Sequence, residues 1–169
     1  MREQVVVASP YNNEHIKLIE EYETRNGLKN STSEYLQKTR NMMSEIDYKQ
    51  LEQERPEILK TLFIQSDEQI ITVAHLMGEK DRKVCQMTID NTASSKWQEK
   101  MLQEAENFAF TTLGMEEVVL LQEEGTRIPT TYFSNHGFED LGVESGMQIY
   151  MKSRNICLLY TSPSPRDRG

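Results

Sequence analysis

Residues 61–114 read TLFIQSDEQIITVAHLMGEKDRKVCQMTIDNTASSKWQEKMLQEAENFAFTTLG, and within this stretch the hydrophobic period changes from two to that of a helix. Leu62-Phe63-Ile64, Ile70-Ile71-Thr72-Val73-Ala74 and Val84-Cys85-Gln86-Met87-Thr88-Ile89 are apolar, β-branched runs. The turn-forming segments Ser66-Asp67-Glu68 and Gly78-Glu79-Lys80-Asp81 separate them, so a three-strand antiparallel meander is expected. Trp97, Met101, Ala105, Phe108, Ala109 and Thr112 then recur at helical intervals, with Leu102 and Leu113 beside them and Gly114 placed to stop the helix.

On the N-terminal side, Val5 to Ser9 reads as a strand ended by Pro10. Asn12 or Asn13 can cap a first helix carrying Ile16, Ile19 and Tyr22, with Gly27 as its stop. Ser31 and Glu34 have capping-box spacing for a second helix carrying Tyr35, Leu36, Met42, Met43 and Ile46. Pro56 marks a break before the meander. On the C-terminal side, Val118-Val119-Leu120-Leu121 is a short buried strand, and Thr126 can cap a last helix starting at Ile128 or Pro129. Gly137-Phe138 ends that helix. A closing hairpin is expected over Phe138–Leu141 and Met147–Met151, turning near Glu144-Ser145-Gly146.

The motifs in this order are Lys100-Met101-Leu102-Gln103-Glu104-Ala105-Glu106, the Leu113-Gly114 that ends the long helix, and Asn135-His136-Gly137-Phe138-Glu139. Together with the element order over residues 3 to 152, they resemble the GNAT family, the Gcn5-related N-acetyltransferases. The resemblance implies an α/β (α+β) fold: a mixed, mostly antiparallel central sheet with helices on both faces and a splayed strand pair. It also implies acetyl transfer from acetyl-coenzyme A to a small-molecule or peptide amine, with possible homodimer formation. Such chemistry needs backbone donors for a pyrophosphate at a helix N-terminus, a donor where negative charge develops on the thioester carbonyl, and groups that move protons.

The resemblance places the cofactor arm along Met87, Thr88 and Ile89 and its pyrophosphate on Ser94, Ser95, Lys96, Trp97 and Gln98. The family's loop glycines fall on Ser94, Lys96 and Gln98, none of which is glycine. Ser94 or Ser95 also reads as a plain helix cap with Trp97 in the core. The asparagine frequent before the short helix falls on Thr126. The tyrosine that protonates the departing thiolate falls on Phe133; Tyr132 precedes it by one residue, a turn of roughly 100° on a helix. The expected site is therefore Tyr132 and Glu123 for catalysis, with Met87, Thr88, Ile89, Ser94, Ser95, Lys96, Trp97, Gln98 and Thr126 holding the cofactor. His75, Asp90 and Glu124 are further candidates for the base. The departures leave a catalytically silent GNAT-like binding or dimerisation module as the alternative.

Composition agrees with one globular domain: 169 residues, 37% hydrophobic and 27% charged. The net charge of -8 gives no attraction to a phosphate backbone, so nucleic acid is not an expected partner. Met1-Arg2-Glu3-Gln4-Val5-Val6-Val7 is too short an apolar run for a signal peptide, and no stretch is long enough to span a bilayer, so neither a membrane nor a secreted context is expected. Cys85 and Cys157 lack ligand spacing, and His15, His75 and His136 are dispersed, so no metal is expected and the location is read as cytoplasmic. Cys157-Leu158-Leu159-Tyr160-Thr161-Ser162-Pro163-Ser164-Pro165-Arg166-Asp167 resembles a translated sequencing adaptor. The domain is accordingly read as residues 1–155, with 156–169 as a non-native tail.

Overall fold

The computed structural model describes residues 3–123 and 128–154. The sheet is built from β1 (Glu3–Val7), β2 (Glu57–Ser66), β3 (Gln69–Glu79), β4 (Val84–Ile89), β5 (Glu117–Gln122), β6 (Glu139–Glu144) and β7 (Met147–Ser153). The helices are α1 (Asn13–Arg25), α2 (Ser31–Met42), α3 (Glu45–Glu54), α4 (Ser95–Asn107) and α5 (Thr130–Asn135). Strand order is β1-β2-β3-β4-β5-β7-β6. Every neighbouring pair is antiparallel except β4 and β5, which run parallel. A parallel pair needs a crossover, and α4 supplies it. The helix finishes in a π-helical turn over Phe108–Thr112 before Gly114 turns the chain with φ of 70°.

The alternation of β2 divides the core. Leu62 and Ile64 point to one face, where they meet Met87, Met101, Leu102 and Ala105 of β4 and α4. Phe63 points to the other face, against Ile16, Ile19, Tyr22 and Leu36 of α1 and α2. The sheet therefore carries helices on both faces, and the expected mixed, mostly antiparallel fold is the one observed.

Three local expectations are corrected. The second helix ends at Met42: Met43 is extended, with φ of -153°, and Ser44 begins α3 by accepting the Asp47 N–H at 3.1 Å. A serine that can cap competes with one that continues a helix, so Ile46 lies on a third helix that buries none of its residues. The capping box of Ser31 and Glu34 is replaced by a tertiary cap. The buried Glu23 carboxylate of α1 accepts from Thr32 N (3.1 Å), Ser33 N (3.3 Å) and Ser33 Oγ (2.7 Å). Gly78 lies within β3, which runs on to Glu79, and the turn falls after it, with Lys83 at a φ of 55°. The closing hairpin turns where expected, on Ser145 and Gly146 with φ of 54° and 80°, the two positive values that the tight hairpin turn demands.

Asn12 is the N-cap of α1, its side chain accepting from Glu14 N at 2.9 Å and His15 N at 3.2 Å. Asn12→Ala leaves both donors to water and is expected to cost about 1 kcal/mol. A thermal melt should show a midpoint lower by roughly 2–4 °C.

Candidate functional site

The pairing of β4 with β5 stops at Met87↔Leu120, although β4 stays paired with β3 as far as Ile89↔Ala74 and β5 stays paired with β7 as far as Gln122↔Gln148. The two strands therefore part, leaving Thr88 and Ile89 without a ladder to β5. The Asp90 N–H donates to the Val73 carbonyl at 3.0 Å, back toward β3. Strand alternation then aims the N–H and C=O of Ile89 the other way, at the opening. Of the three residues expected along the cofactor arm, Met87 is buried in the core beneath, while Thr88 and Ile89 border the gap.

Thr61, His75 and Thr88 form a cross-strand row over β2, β3 and β4. The His75 ring lies between two oxygens: Nδ1 is 3.4 Å from Thr61 Oγ1, and Nε2 is 3.8 Å from Asp90 Oδ1. Asp90 follows β4 directly, and its Oδ2 accepts from the Tyr22 hydroxyl at 3.1 Å. The Tyr22 hydroxyl in turn lies 2.7 Å from Thr92 Oγ1, so a chain of donation runs Thr92 to Tyr22 to Asp90. Burial pushes the Asp90 carboxyl above the ordinary carboxylate range. His75 opposes that shift, and the charges of Glu123 and Glu23 add to it. Glu123 is exposed at the end of β5. Three of the candidate proton-moving groups, His75, Asp90 and Glu123, thus gather at the mouth of the gap. Sequence reasoning missed Tyr22: its helical spacing marks it as core, which its 1% exposure confirms, and nothing local shows that its hydroxyl ends at Asp90.

On the α1 face, a cavity of about 460 Å³ opens between the segment after β1, helices α2 and α3, and the sheet. His75, Thr61 and Thr88 form part of its lining, and tyrosines 11, 35 and 48 stand around it.

The start of α4 differs from the other long helices. Asn12 caps α1, Glu23 caps α2 and Ser44 caps α3, and each of these helices has an acid in its first turn. Ser94, the N-cap of α4, makes no side-chain cap bond, and the first turn holds no acid. The resulting helix end carries unneutralised positive polarity, with Lys96 beside it. Ser94 and Lys96 are exposed, and the Lys96 ammonium lies 5.4 Å from the ring of Trp97, which is half-buried against the core. Gln98 is fully buried and donates Nε2 to the Ala93 carbonyl at 2.8 Å, which fixes the loop entering the helix.

The short helix places the remaining candidates. Phe133 is core, stacked on Tyr150 with ring centroids 3.8 Å apart and edge-on to Phe138. Tyr132 is buried too, stacked on His136 at 3.9 Å. Burial and the nearby Glu106 charge push its phenol up, and its hydroxyl is buried without a hydrogen-bond partner among the described residues. Thr126 and Glu124 lie outside the described residues. Among the described residues, no group of three or more His, Cys, Asp or Glu could hold a metal, and no helix is long and apolar enough to cross a membrane.

A sheet parted at its one parallel pair, with the crossover helix starting at the gap, is the fold of the GNAT N-acetyltransferases, and the chain has that fold. Among solved structures it is similar to the N-acetyltransferase PseH of Campylobacter jejuni: 16% identical, covering 90% of this chain and 98% of that one, TM-score 0.56. PseH is also known in complex with acetyl coenzyme A. The PaiA N-acetyltransferase of Thermoplasma acidophilum, in complex with coenzyme A, is 13% identical over 90% of this chain and 99% of its own, with a TM-score of 0.51. Mutant forms of the spermidine/spermine N-acetyltransferase SpeG of Vibrio cholerae superpose with a TM-score of 0.62, 10% identical over 95% of this chain and 100% of their own. No sequence-family model matches the chain, and no curated protein matches it by sequence.

Proposed function

We propose that the protein is an acyl-coenzyme A-dependent N-acyltransferase that passes an acetyl group from acetyl-coenzyme A to an amine held in the 460 Å³ cavity. The observation that carries this reading is the parting of β4 from β5 at Met87↔Leu120, beside Thr88 and its cross-strand neighbour His75, both of which line the cavity. The gap offers the backbone of Ile89 to an extended pantetheine arm, while that of Thr88 is turned toward β3. The uncapped start of α4, through the N–H groups of Ser95 and Lys96 and the Lys96 ammonium, suits a pyrophosphate. No glycine is required for this, because Ser94 is already extended and the helix end is open.

An amine must shed a proton to attack a thioester, and His75 is the base that faces the cavity. Its separation of 3.8 Å from Asp90 is too long for a direct hydrogen bond, so the carboxylate acts on the ring through its charge. Asp90, held by Tyr22, orients the ring and supports the charge that His75 acquires. Glu123 at the mouth passes the proton on to solvent. The Ile89 N–H is the donor aimed at the carbonyl oxygen as negative charge develops there. Tyr132 acts in this reading as a packing residue, its hydroxyl directed at α4, and its ring holds α5 in place.

Isothermal calorimetry with acetyl-coenzyme A and desulfo-coenzyme A tests the binding half. Both should bind, and no heat at millimolar ligand would sink the proposal. Lys96→Ala should weaken binding about tenfold, the worth of one charge-assisted contact, with a shallower salt dependence. The alternative, a binding module without turnover, draws on Phe133 occupying the core at the family's tyrosine position. Thiol release over an amine panel separates the two, since a silent module binds the coenzyme and releases nothing.

A further inference from the structure

Resting on the acyltransferase reading, we infer that the amine acceptor is an arylalkyl monoamine, one protonatable nitrogen on an aromatic body, and not a polyamine. The cavity has the size of a small-molecule site, and its walls are aromatic. The Tyr11 and Tyr48 rings are tilted at 59° with centroids 5.7 Å apart. Tyr11 is held rigidly there, its hydroxyl donating to the Met43 carbonyl at 2.9 Å and lying 3.2 Å from that of Ser44. Tyr35, 42% exposed, completes the rim. Rings fixed at these angles suit the edge and face contacts of another ring.

The charges of the wall point the same way. Its two carboxylates each have an ammonium partner: Glu52 meets Lys60 at 2.9 Å, half-buried, and Glu45 meets Lys49 at 3.6 Å at the rim. The lining is therefore neutral in a chain whose net charge is -8. A single amine nitrogen can be received at the floor by His75, which Asp90 backs at 3.8 Å. A second cationic centre would find no free carboxylate and would face two lysines, a repulsive element that excludes polyamines.

The test compares kcat/KM in a thiol-release assay with acetyl-coenzyme A for phenethylamine, n-butylamine and spermidine. Phenethylamine should exceed both others by about thirtyfold, the worth of burying one ring. Tyr35→Ala should raise KM for phenethylamine about fivefold and that for n-butylamine by a smaller factor. Lys49→Glu should improve spermidine several-fold, since it removes a positive charge and frees Glu45. Spermidine outperforming phenethylamine in the unaltered protein would overturn the inference while leaving the acyltransferase reading intact. If no amine is turned over, that reading falls, and calorimetric titration of the amines alone decides the cavity's preference. Phenethylamine bound in preference to spermidine, and weakened by Tyr35→Ala, sustains the inference; equal or absent binding overturns it.

Discussion

His75→Ala should lower kcat about a hundredfold or more while acetyl-coenzyme A affinity stays within about twofold, because a positioned general base contributes roughly 10²–10⁴ to rate and little to cofactor binding. Asp90→Asn should act in the same direction on turnover, since it removes the charge that supports a protonated His75 while preserving an acceptor for the Tyr22 hydroxyl. Its effect on stability has the opposite sign. Burial raises the Asp90 carboxyl above its unfolded value, so the folded state holds its proton more tightly than the unfolded one. Stability attributable to this group therefore falls as pH rises from the unfolded carboxylate range through the raised folded value. At neutral pH the native protein carries the resulting penalty, which the asparagine variant does not. Melts at pH 4 and pH 7 should show Asp90→Asn gaining on the native chain at the higher pH. A variant that is less active and more stable would mark Asp90 as a residue kept for function at a cost to the fold. Equal turnover in His75→Ala would instead remove the proposed base.

Phe133→Ala should destabilise the domain by about 3–5 kcal/mol, at the large end of core truncations. The ring is 2% exposed, stacked on Tyr150 with planes within 5° and edge-on to Phe138 at 5.7 Å. Its removal leaves a cavity where α5 meets β7, and the rings of Tyr150 and Phe138 cannot close over it. Denaturant unfolding should show the midpoint falling with little change in slope. Phe133→Tyr, which restores the family's residue, should also destabilise, by about 1–3 kcal/mol, because the hydroxyl enters an apolar site. A Phe133→Tyr variant of unaltered stability and raised turnover would show that the position faces the gap after all.

These two sites show how far the sequence carried. The order of elements was legible because the meander and α4 are built from regular periods. Alternation at Leu62-Phe63-Ile64 and helical recurrence from Trp97 to Thr112 are local signals that tertiary contacts then confirm. The break at Met43 was not legible, since Ile46 continues a helical period across it, and only the cap at Ser44 decides the matter. In the site, His75, Asp90 and Glu123 were each visible as lone titratable residues. Their common location was not visible, because it follows from register: His75 lies opposite Thr88, and Asp90 is two residues further on the same face.

The sequence by itself therefore determined the strands of the meander and the long helix α4, since periodicity and turn residues act over a few positions. Only the tertiary structure decided that β4 and β5 pair in parallel and where they part, that Glu23 rather than Ser31 caps α2, and that Tyr22 anchors Asp90. Each of these depends on atoms from elements that are far apart in sequence, and side-chain chemistry at one position carries no record of the partner that folding brings to it.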